Sequence, residues 1–168
     1  MPTRRFPVGA EVVPGGVHFR VWAPIRTTVE VLVENGPTAA LEPEAGGYFS
    51  ALVPGVAAGA RYKFRLDGHA STHPDLASRF QPEGPHGPSQ VIDPGAFRWT
   101  DHGWAGIAET GQVFYELHAG TFTPEGTWAA AAERLPDLVA LGITAVEVMP
   151  VAEFPGEFGW GYDGVQIF

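Results

Sequence analysis

The sequence predicts an all-β, immunoglobulin-like sandwich followed by the first βαβ portion of a (β/α)8 barrel. Short alternating segments divided by Gly, Pro and Asn turns fill the first part, and an irregular segment rich in Pro and Gly follows at 69–112. The last part has the pattern strand, helix, apolar strand. We expect the sandwich at 1–95, the connector at 96–112 and the start of a barrel at 113–168. The barrel is expected to be truncated, because a complete one needs about 250 residues.

Four segments of the first part alternate apolar and polar residues, as strands buried on one face do. The turn pair Asn35-Gly36 follows the segment 28–33, and Pro54-Gly55 follows the segment 48–53. The predicted strands are 17–22, 28–33, 48–53 and 61–66.

The last part of the chain predicts a helix between two strands that run parallel. Thr127 suits the N-cap of the helix, and Gly142 suits the position just beyond its end. Pro136 is expected to kink or split it, because proline removes one helical hydrogen bond. The predicted strands are 113–118 and 143–149, and the predicted helix is 129–141.

Composition excludes several classes of function. The formal net charge of −9 suits neither a phosphate backbone nor an anionic membrane, so we expect no nucleic acid and no membrane as partners. The absence of cysteine excludes disulfides, thiolate zinc sites and cysteine nucleophiles. No apolar run is long enough for a signal sequence or a membrane span, so we expect a cytoplasmic protein.

Motif searches give no metal site and no cofactor. The six histidines lack metal-binding spacing, and the chain has no phosphate-binding glycine loop. Glu116 and Glu147 lie on the two parallel strands, either as a carboxylate pair for acid/base chemistry or as ordinary polar barrel residues. The second interpretation is favoured, because neither glutamate lies clearly at the carboxyl end of its strand.

The segment after the second parallel strand is the more informative one. It brings Trp160, Tyr162 and Asp163 together among glycines, and in a β/α barrel this loop lies on the active-site face. Aromatic faces stack on sugar rings, and a carboxylate accepts hydrogen bonds from hydroxyl groups. The alternative, that the aromatic residues only close the rim of the barrel, stays open.

Several stretches resemble known families. The segment FRVWAP at 19–24 resembles the amino-terminal sandwich of isoamylase-type enzymes. Four later stretches resemble the opening of the α-amylase-type glycoside hydrolase barrel: 114–123, 141–144, 148–151 and 160–165. Two stretches of the irregular Pro- and Gly-rich segment, SRFQP at 78–82 and HGPSQ at 86–90, are similar to those of the maltooligosyltrehalose trehalohydrolases.

The resemblance implies a retaining hydrolase that cleaves the α-1,4 bond next to the terminal trehalose of maltooligosyl-trehalose. The implied partner is an α-1,4-glucan or maltooligosyl-trehalose. Retention needs two carboxyl groups roughly 5 Å apart, and the family takes them from the fourth and fifth strands. We therefore expect no catalytic residue in this chain, which alone should be inactive. The resemblance makes Tyr162 a sugar-stacking residue and Asp163 a hydroxyl ligand, and it matches Trp160 and His118 to substrate-site positions without fixing their roles.

Two further hypotheses stay open. One is a fragment of a glycogen-branching or debranching enzyme, and the other is a non-catalytic α-glucan-binding module. The module would need an exposed row of aromatic residues on the sandwich, whereas we expect most of the candidates to point into the core. These candidates are Trp22, Tyr48, Tyr62, Trp99 and Trp104. Open edges of the two parallel strands also predict self-association.

Overall fold

The computed structural model describes residues 4–156, 158–160 and 162–166. The chain divides into two compact units. Unit 1 consists of residues 1–98, 153–155 and 165–168, and unit 2 consists of residues 99–152 and 156–164. The predicted domain bounds of 1–95, 96–112 and 113–168 stay a prediction.

Unit 1 is an antiparallel sheet that folds over on itself. Its strands are β1 (Gly9–Val13), β2 (Gly16–Trp22), β3 (Val29–Val33), β4 (Thr38–Glu44), β5 (Tyr48–Pro54), β6 (Arg61–Leu66), β7 (Thr72–His73) and β8 (Ser89–Gln90). The sheet order is β1-β2-β5-β4-β3-β6-β7, with β8 beside β6. Strand β4 pairs with β3 through its first residues and with β5 through its last, which joins the two halves. The predicted all-β sandwich is confirmed.

The core of unit 1 comes from alternate residues of its strands. Phe19 and Tyr62 are almost fully buried, and their rings meet edge to face with centroids 4.8 Å apart. Phe64 continues the stack at 5.7 Å from Tyr62. Aromatic pairs of this geometry stabilise a core by about 0.5–1.5 kcal/mol beyond the area they bury. The two halves of the sheet therefore enclose a continuous apolar interior.

A buried carboxyl group connects the irregular segment after β7 to this core. Asp75 is 1% exposed and accepts hydrogen bonds from the Tyr62 hydroxyl at 2.7 Å and from the Ala77 amide at 2.8 Å. Its own amide donates to Ser89 Oγ at 2.9 Å. Burial raises the pKa of Asp75 and, more strongly, the pKa of Tyr62. These bonds hold the segment in place although it has little regular secondary structure.

Unit 2 contains a βαβ unit. Its elements are β9 (Phe114–Leu117), a single-turn helix α1 (Ala119–Phe122), α2 (Trp128–Leu141) and β10 (Ala145–Val148). Strands β9 and β10 pair in parallel, with Phe114 opposite Ala145. The helix begins as predicted, because Thr127 Oγ1 accepts a hydrogen bond from the Ala130 amide. It ends at Leu141, and the next residue, Gly142, has a φ of +94°, a conformation that favours glycine.

The sequence analysis missed several features of the fold. It did not predict β1 or β4, and β4 contains alanine, glutamate and proline, which strands disfavour. Pro136 does not split the helix, because α2 runs from Trp128 to Leu141, and the expected kink stays a prediction. No helix among the described residues is long and apolar enough to cross a membrane.

Apolar side chains of the βαβ unit remain exposed to solvent. Phe114 is 64% exposed on β9, and Val148 is 42% exposed on β10. Helix α2 exposes Val139 at 70% and Leu141 at 73%. Within the described part of unit 2, the buried hydrophobic residues are Leu117, Ala131 and Leu138. Unit 2 therefore has a much smaller core than unit 1.

Candidate carbohydrate-binding sites

Three of the predicted substrate-binding residues lie on one exposed loop of unit 2. Trp160 is 71% exposed and Tyr162 is 68% exposed, and Asp163 is exposed beside them. Two other positions of the predicted loop, 157 and 161, lie outside the described residues. The rings and the carboxylate are open to solvent, so a ligand could contact them without any rearrangement of the chain.

The two segments that flank this loop belong to unit 1. Glu153 and Gln166 form an antiparallel bridge, and the Val165 amide donates to Glu153 O at 2.9 Å. The Gln166 side chain is buried, and its Nε2 donates to Pro85 O at 3.3 Å. Pro85 lies between SRFQP and HGPSQ, two of the stretches that carried the family resemblance. Sequence reasoning missed this contact, because no local pattern relates residues so far apart in the chain.

His118 lies at the start of α1 and not on the loop. Its carbonyl oxygen accepts hydrogen bonds from the amides of Thr121 at 3.0 Å and Phe122 at 2.9 Å. Its Nδ1 lies 3.5 Å from Thr121 Oγ1, and the side chain is half-buried. The observed contacts of His118 are thus local ones, which define the first turn after β9.

The two glutamates of the parallel strands are brought together. Glu116 and Glu147 are direct neighbours in the register of β9 and β10, so their side chains share a face, and both are exposed. Each is the third of four residues in its strand rather than the last. Among the described residues, no group of three or more His, Asp or Glu side chains is placed to hold a metal ion.

Most of the five aromatic candidates for a glucan-binding row do not point into the core as expected. Among these five only Tyr62 is buried, at 1% exposure, whereas Trp22 is 60% exposed and Tyr48 is half-buried. Trp99 and Trp104 are also exposed, at 65% and 68%. Strand alternation explains the exposure of Trp22, because Trp22 lies an odd number of residues after the inward-facing Phe19. Counting positions from Phe19 would have predicted its exposure from sequence.

The chain thus combines an antiparallel β-sandwich with a βαβ unit, and both expose aromatic side chains. A family model described as carbohydrate-binding module 48 (isoamylase N-terminal domain) matches residues 7–94, more than half of the chain. The chain therefore belongs to this family. The matched range contains β1 to β8 and the stretches SRFQP and HGPSQ.

Two curated relatives extend the similarity beyond the sandwich. A malto-oligosyltrehalose trehalohydrolase from Deinococcus radiodurans is 49% identical over 163 residues, which are 96% of this chain and 26% of that protein. A 1,4-alpha-glucan branching enzyme from Xanthomonas euvesicatoria pv. vesicatoria is 33% identical over 171 residues, covering 91% and 23%. The chain spans about a quarter of the length of the curated relatives it matches.

A solved structure shares the fold. It is a crystal structure of a Salmonella typhimurium protein assigned as an alpha amylase, with a TM-score of 0.88 and 45% sequence identity. The match covers 95% of this chain and 27% of that one. Both relatives and this structure are thus larger proteins that match more than nine-tenths of this chain.

Proposed function

We propose that this chain is the amino-terminal part of a trehalose-releasing glycoside hydrolase. The enzyme cleaves the α-1,4 bond next to the terminal trehalose of maltooligosyl-trehalose with retention of configuration. The observation that carries the proposal is the 49% identity to a trehalohydrolase, which extends over 96% of the chain and so includes both units. The substrate is an α-1,4-glucan capped by trehalose.

The βαβ unit is proposed to be the first portion of a (β/α)8 barrel. Its parallel strands are joined through a helix, which is the repeating unit of such a barrel. The exposed Phe114, Val146 and Val148 support this proposal, because neighbouring strands and helices would cover them. In the isolated chain the same apolar surface would favour self-association.

Within this enzyme, Tyr162 would stack on the sugar at the cleavage point and Asp163 would bind one of its hydroxyl groups. Trp160 and His118 would lie at the substrate site with roles that the family resemblance leaves open. The two catalytic carboxylates would come from later barrel strands, so the isolated chain would not hydrolyse substrate. We also propose a cytoplasmic location, which the absence of cysteine supports.

The alternative in the same fold is a branching or debranching enzyme. The identity to the branching enzyme is 33%, against 49% to the trehalohydrolase over a similar share of the chain. The two enzymes differ in their products, since a branching enzyme transfers a glucan segment to form an α-1,6 bond. Product analysis therefore separates the two functions directly.

The test is a chimera that joins this chain to the part of the Deinococcus radiodurans relative that it does not match. We expect release of trehalose from maltooligosyl-trehalose, faster than cleavage of plain maltooligosaccharides. Neither the chain alone nor the remaining part alone should do this. Formation of α-1,6 branches, or equal cleavage of both substrates, would contradict the proposal.

Two variants of the chimera test the role of Tyr162. Tyr162→Ala removes the ring and should lower kcat/KM for maltooligosyl-trehalose by about a hundredfold, comparable to other losses of substrate positioning. Tyr162→Phe keeps the stacking face and should retain most of the activity. Equal activity of the alanine variant and the unchanged chimera would show that Tyr162 is not part of the substrate site.

A further inference from the structure

The exposed loop that carries the substrate-binding candidates has its two ends side by side. The stretch from Glu153 to Gln166, here named the substrate loop, includes Tyr162 and Asp163. Its two end residues form an antiparallel bridge, and the Val165 amide donates to Glu153 O at 2.9 Å. A loop with joined ends has fewer conformations than an open chain of the same length. The bridge therefore limits where Tyr162 and Asp163 can lie.

Gln166 is the residue of the bridge that fixes the substrate loop to unit 1. Its side chain is 6% exposed, and its Nε2 donates a hydrogen bond to Pro85 O at 3.3 Å. The other amide atom, Oε1, is buried without a partner among the described residues. Burial of an amide is unfavourable unless it is hydrogen-bonded. The bond to Pro85 is thus what favours this position of the Gln166 side chain over others.

Pro85 belongs to a short segment that is itself held on strand β6. On one side of it, Glu83 forms an ion pair with Arg61 of β6. On the other side, His86 O accepts a hydrogen bond from Lys63 Nζ of β6 at 3.1 Å. Pro85 is buried between them, and its ring fixes its own φ. Gln166 therefore donates to a carbonyl oxygen whose position is set by the sandwich.

We propose that Gln166 is a positioning residue, which anchors the substrate loop to Pro85 and thereby holds Tyr162 in place for the substrate. The effect on the reaction rests on the proposed function, in which Tyr162 stacks on the sugar at the cleavage point. Gln166 is buried, so it acts on the substrate only through the loop. A displacement of a positioning group by about 1 Å can lower a rate by about a hundredfold.

A double-mutant cycle in the chimera tests this role. Gln166→Met keeps a long side chain but removes the donor, and it should lower kcat/KM for maltooligosyl-trehalose by about tenfold. In the Tyr162→Ala background the same change should have a further effect of less than about twofold, because the group that Gln166 positions is gone. A merely structural role would give the same loss in both backgrounds. That result, or no loss in either background, would overturn the positioning role.

Gln90→Met is the matched control for this cycle. Gln90 also donates from Nε2 to a backbone carbonyl oxygen of unit 1, that of Gly59 at 3.0 Å, but it lies at no end of the substrate loop. This variant should leave kcat/KM unchanged. An equal loss in Gln90→Met and Gln166→Met would contradict a role that is specific to the loop.

Amide hydrogen exchange on the chain tests the anchor without any activity. The Val165 amide should exchange slowly in the unchanged chain and about tenfold faster in Gln166→Met, while the amides of β2 stay protected. Rapid exchange of Val165 in the unchanged chain, or equal exchange in the variant, would overturn the anchor. If β2 loses its protection as well, the variant has not folded. Gln166→Asn then replaces it, because asparagine keeps the amide but is too short to keep the bond, and the same outcomes decide.

The two measurements separate this proposal from the proposed function. Release of trehalose by the chimera without coupling between Gln166 and Tyr162 rejects only the positioning role. Formation of α-1,6 branches rejects only the proposed function, and the cycle is then measured on the branching reaction. If the chimera has neither activity, the exchange of the Val165 amide decides for or against the anchor.

Discussion

The sandwich and the βαβ unit bury their apolar residues to very different extents. In unit 1, Phe19 and Val31 are fully buried, and the strands of both halves contribute to one core. In unit 2, Phe114 lies in a strand of similar composition but is 64% exposed. The difference follows from topology, because an antiparallel sheet can fold onto itself, whereas a parallel pair needs layers on both faces. The sandwich therefore has a closed apolar core, whereas the described part of the βαβ unit buries few apolar side chains.

The largest expected effect compares one phenylalanine from each unit. Phe19→Ala should lower the free energy of unfolding by about 3–5 kcal/mol, because it leaves a cavity in a closed core. Phe114→Ala removes a side chain that is already mostly in water and should cost less than about 1 kcal/mol. Urea unfolding followed by circular dichroism measures both variants. Equal costs would show that unit 2 has a closed core of its own.

A smaller effect is expected from one buried hydroxyl group. Tyr62→Phe removes the donor to Asp75 Oδ2 and leaves part of a buried carboxyl group without its partner. The free energy of unfolding should fall by about 1–3 kcal/mol. Tyr115→Phe is the control from unit 2, where the ring packs edge-on against Phe122, and it should change stability by no more than about 0.5 kcal/mol. Similar losses of stability in both variants would show that the buried hydrogen bond from Tyr62 to Asp75 has no special role.

The smallest effect concerns a turn of unit 1 and its pH dependence. Asp67 Oδ1 accepts hydrogen bonds from the Thr27 and Thr28 amides, and these bonds hold the pKa of Asp67 far below its ordinary value of 3.8. This stabilisation is complete above the unfolded-state pKa and is lost as the pH falls through the lower folded-state pKa.

Asp67→Asn should therefore make the loss of stability below about pH 4 shallower. Asparagine tolerates the positive φ of 51° at this position, so the backbone is kept. Thermal unfolding at several pH values measures the change, with Asp163→Asn from the exposed loop as the control. An unchanged acid profile for Asp67→Asn would show that the turn contributes nothing to acid sensitivity.

Much of the fold could be predicted from local patterns. Alternation predicted β2, β3, β5 and β6, because each has one face on the core. Thr127 and Gly142 predicted both ends of α2, since capping depends on the residue at one position. Three substrate-binding candidates, Trp160, Tyr162 and Asp163, came from the residues of one loop and from the family resemblance. His118 came from the resemblance alone, and all four stay predictions.

The features that sequence reasoning missed depend on contacts between distant residues. Strand β4 has weak strand propensity and is held between β3 and β5 by their pairing. The contact of Gln166 with Pro85 joins residues that are 81 positions apart. The ion pair between Arg20 and Glu44 likewise arises only once β2, β5 and β4 are aligned. Such contacts have no signal within a short window of sequence.

Amide hydrogen exchange on the chain, with its oligomeric state fixed by ultracentrifugation, tests most directly whether the sandwich has a closed core and the βαβ unit does not. The account predicts slow exchange for amides of β2, β3 and β6. In the monomer it predicts much faster exchange for 114–117 and 145–148, because few buried contacts hold those strands. Equal protection of these two strands and of the sandwich in a monomer would contradict the account.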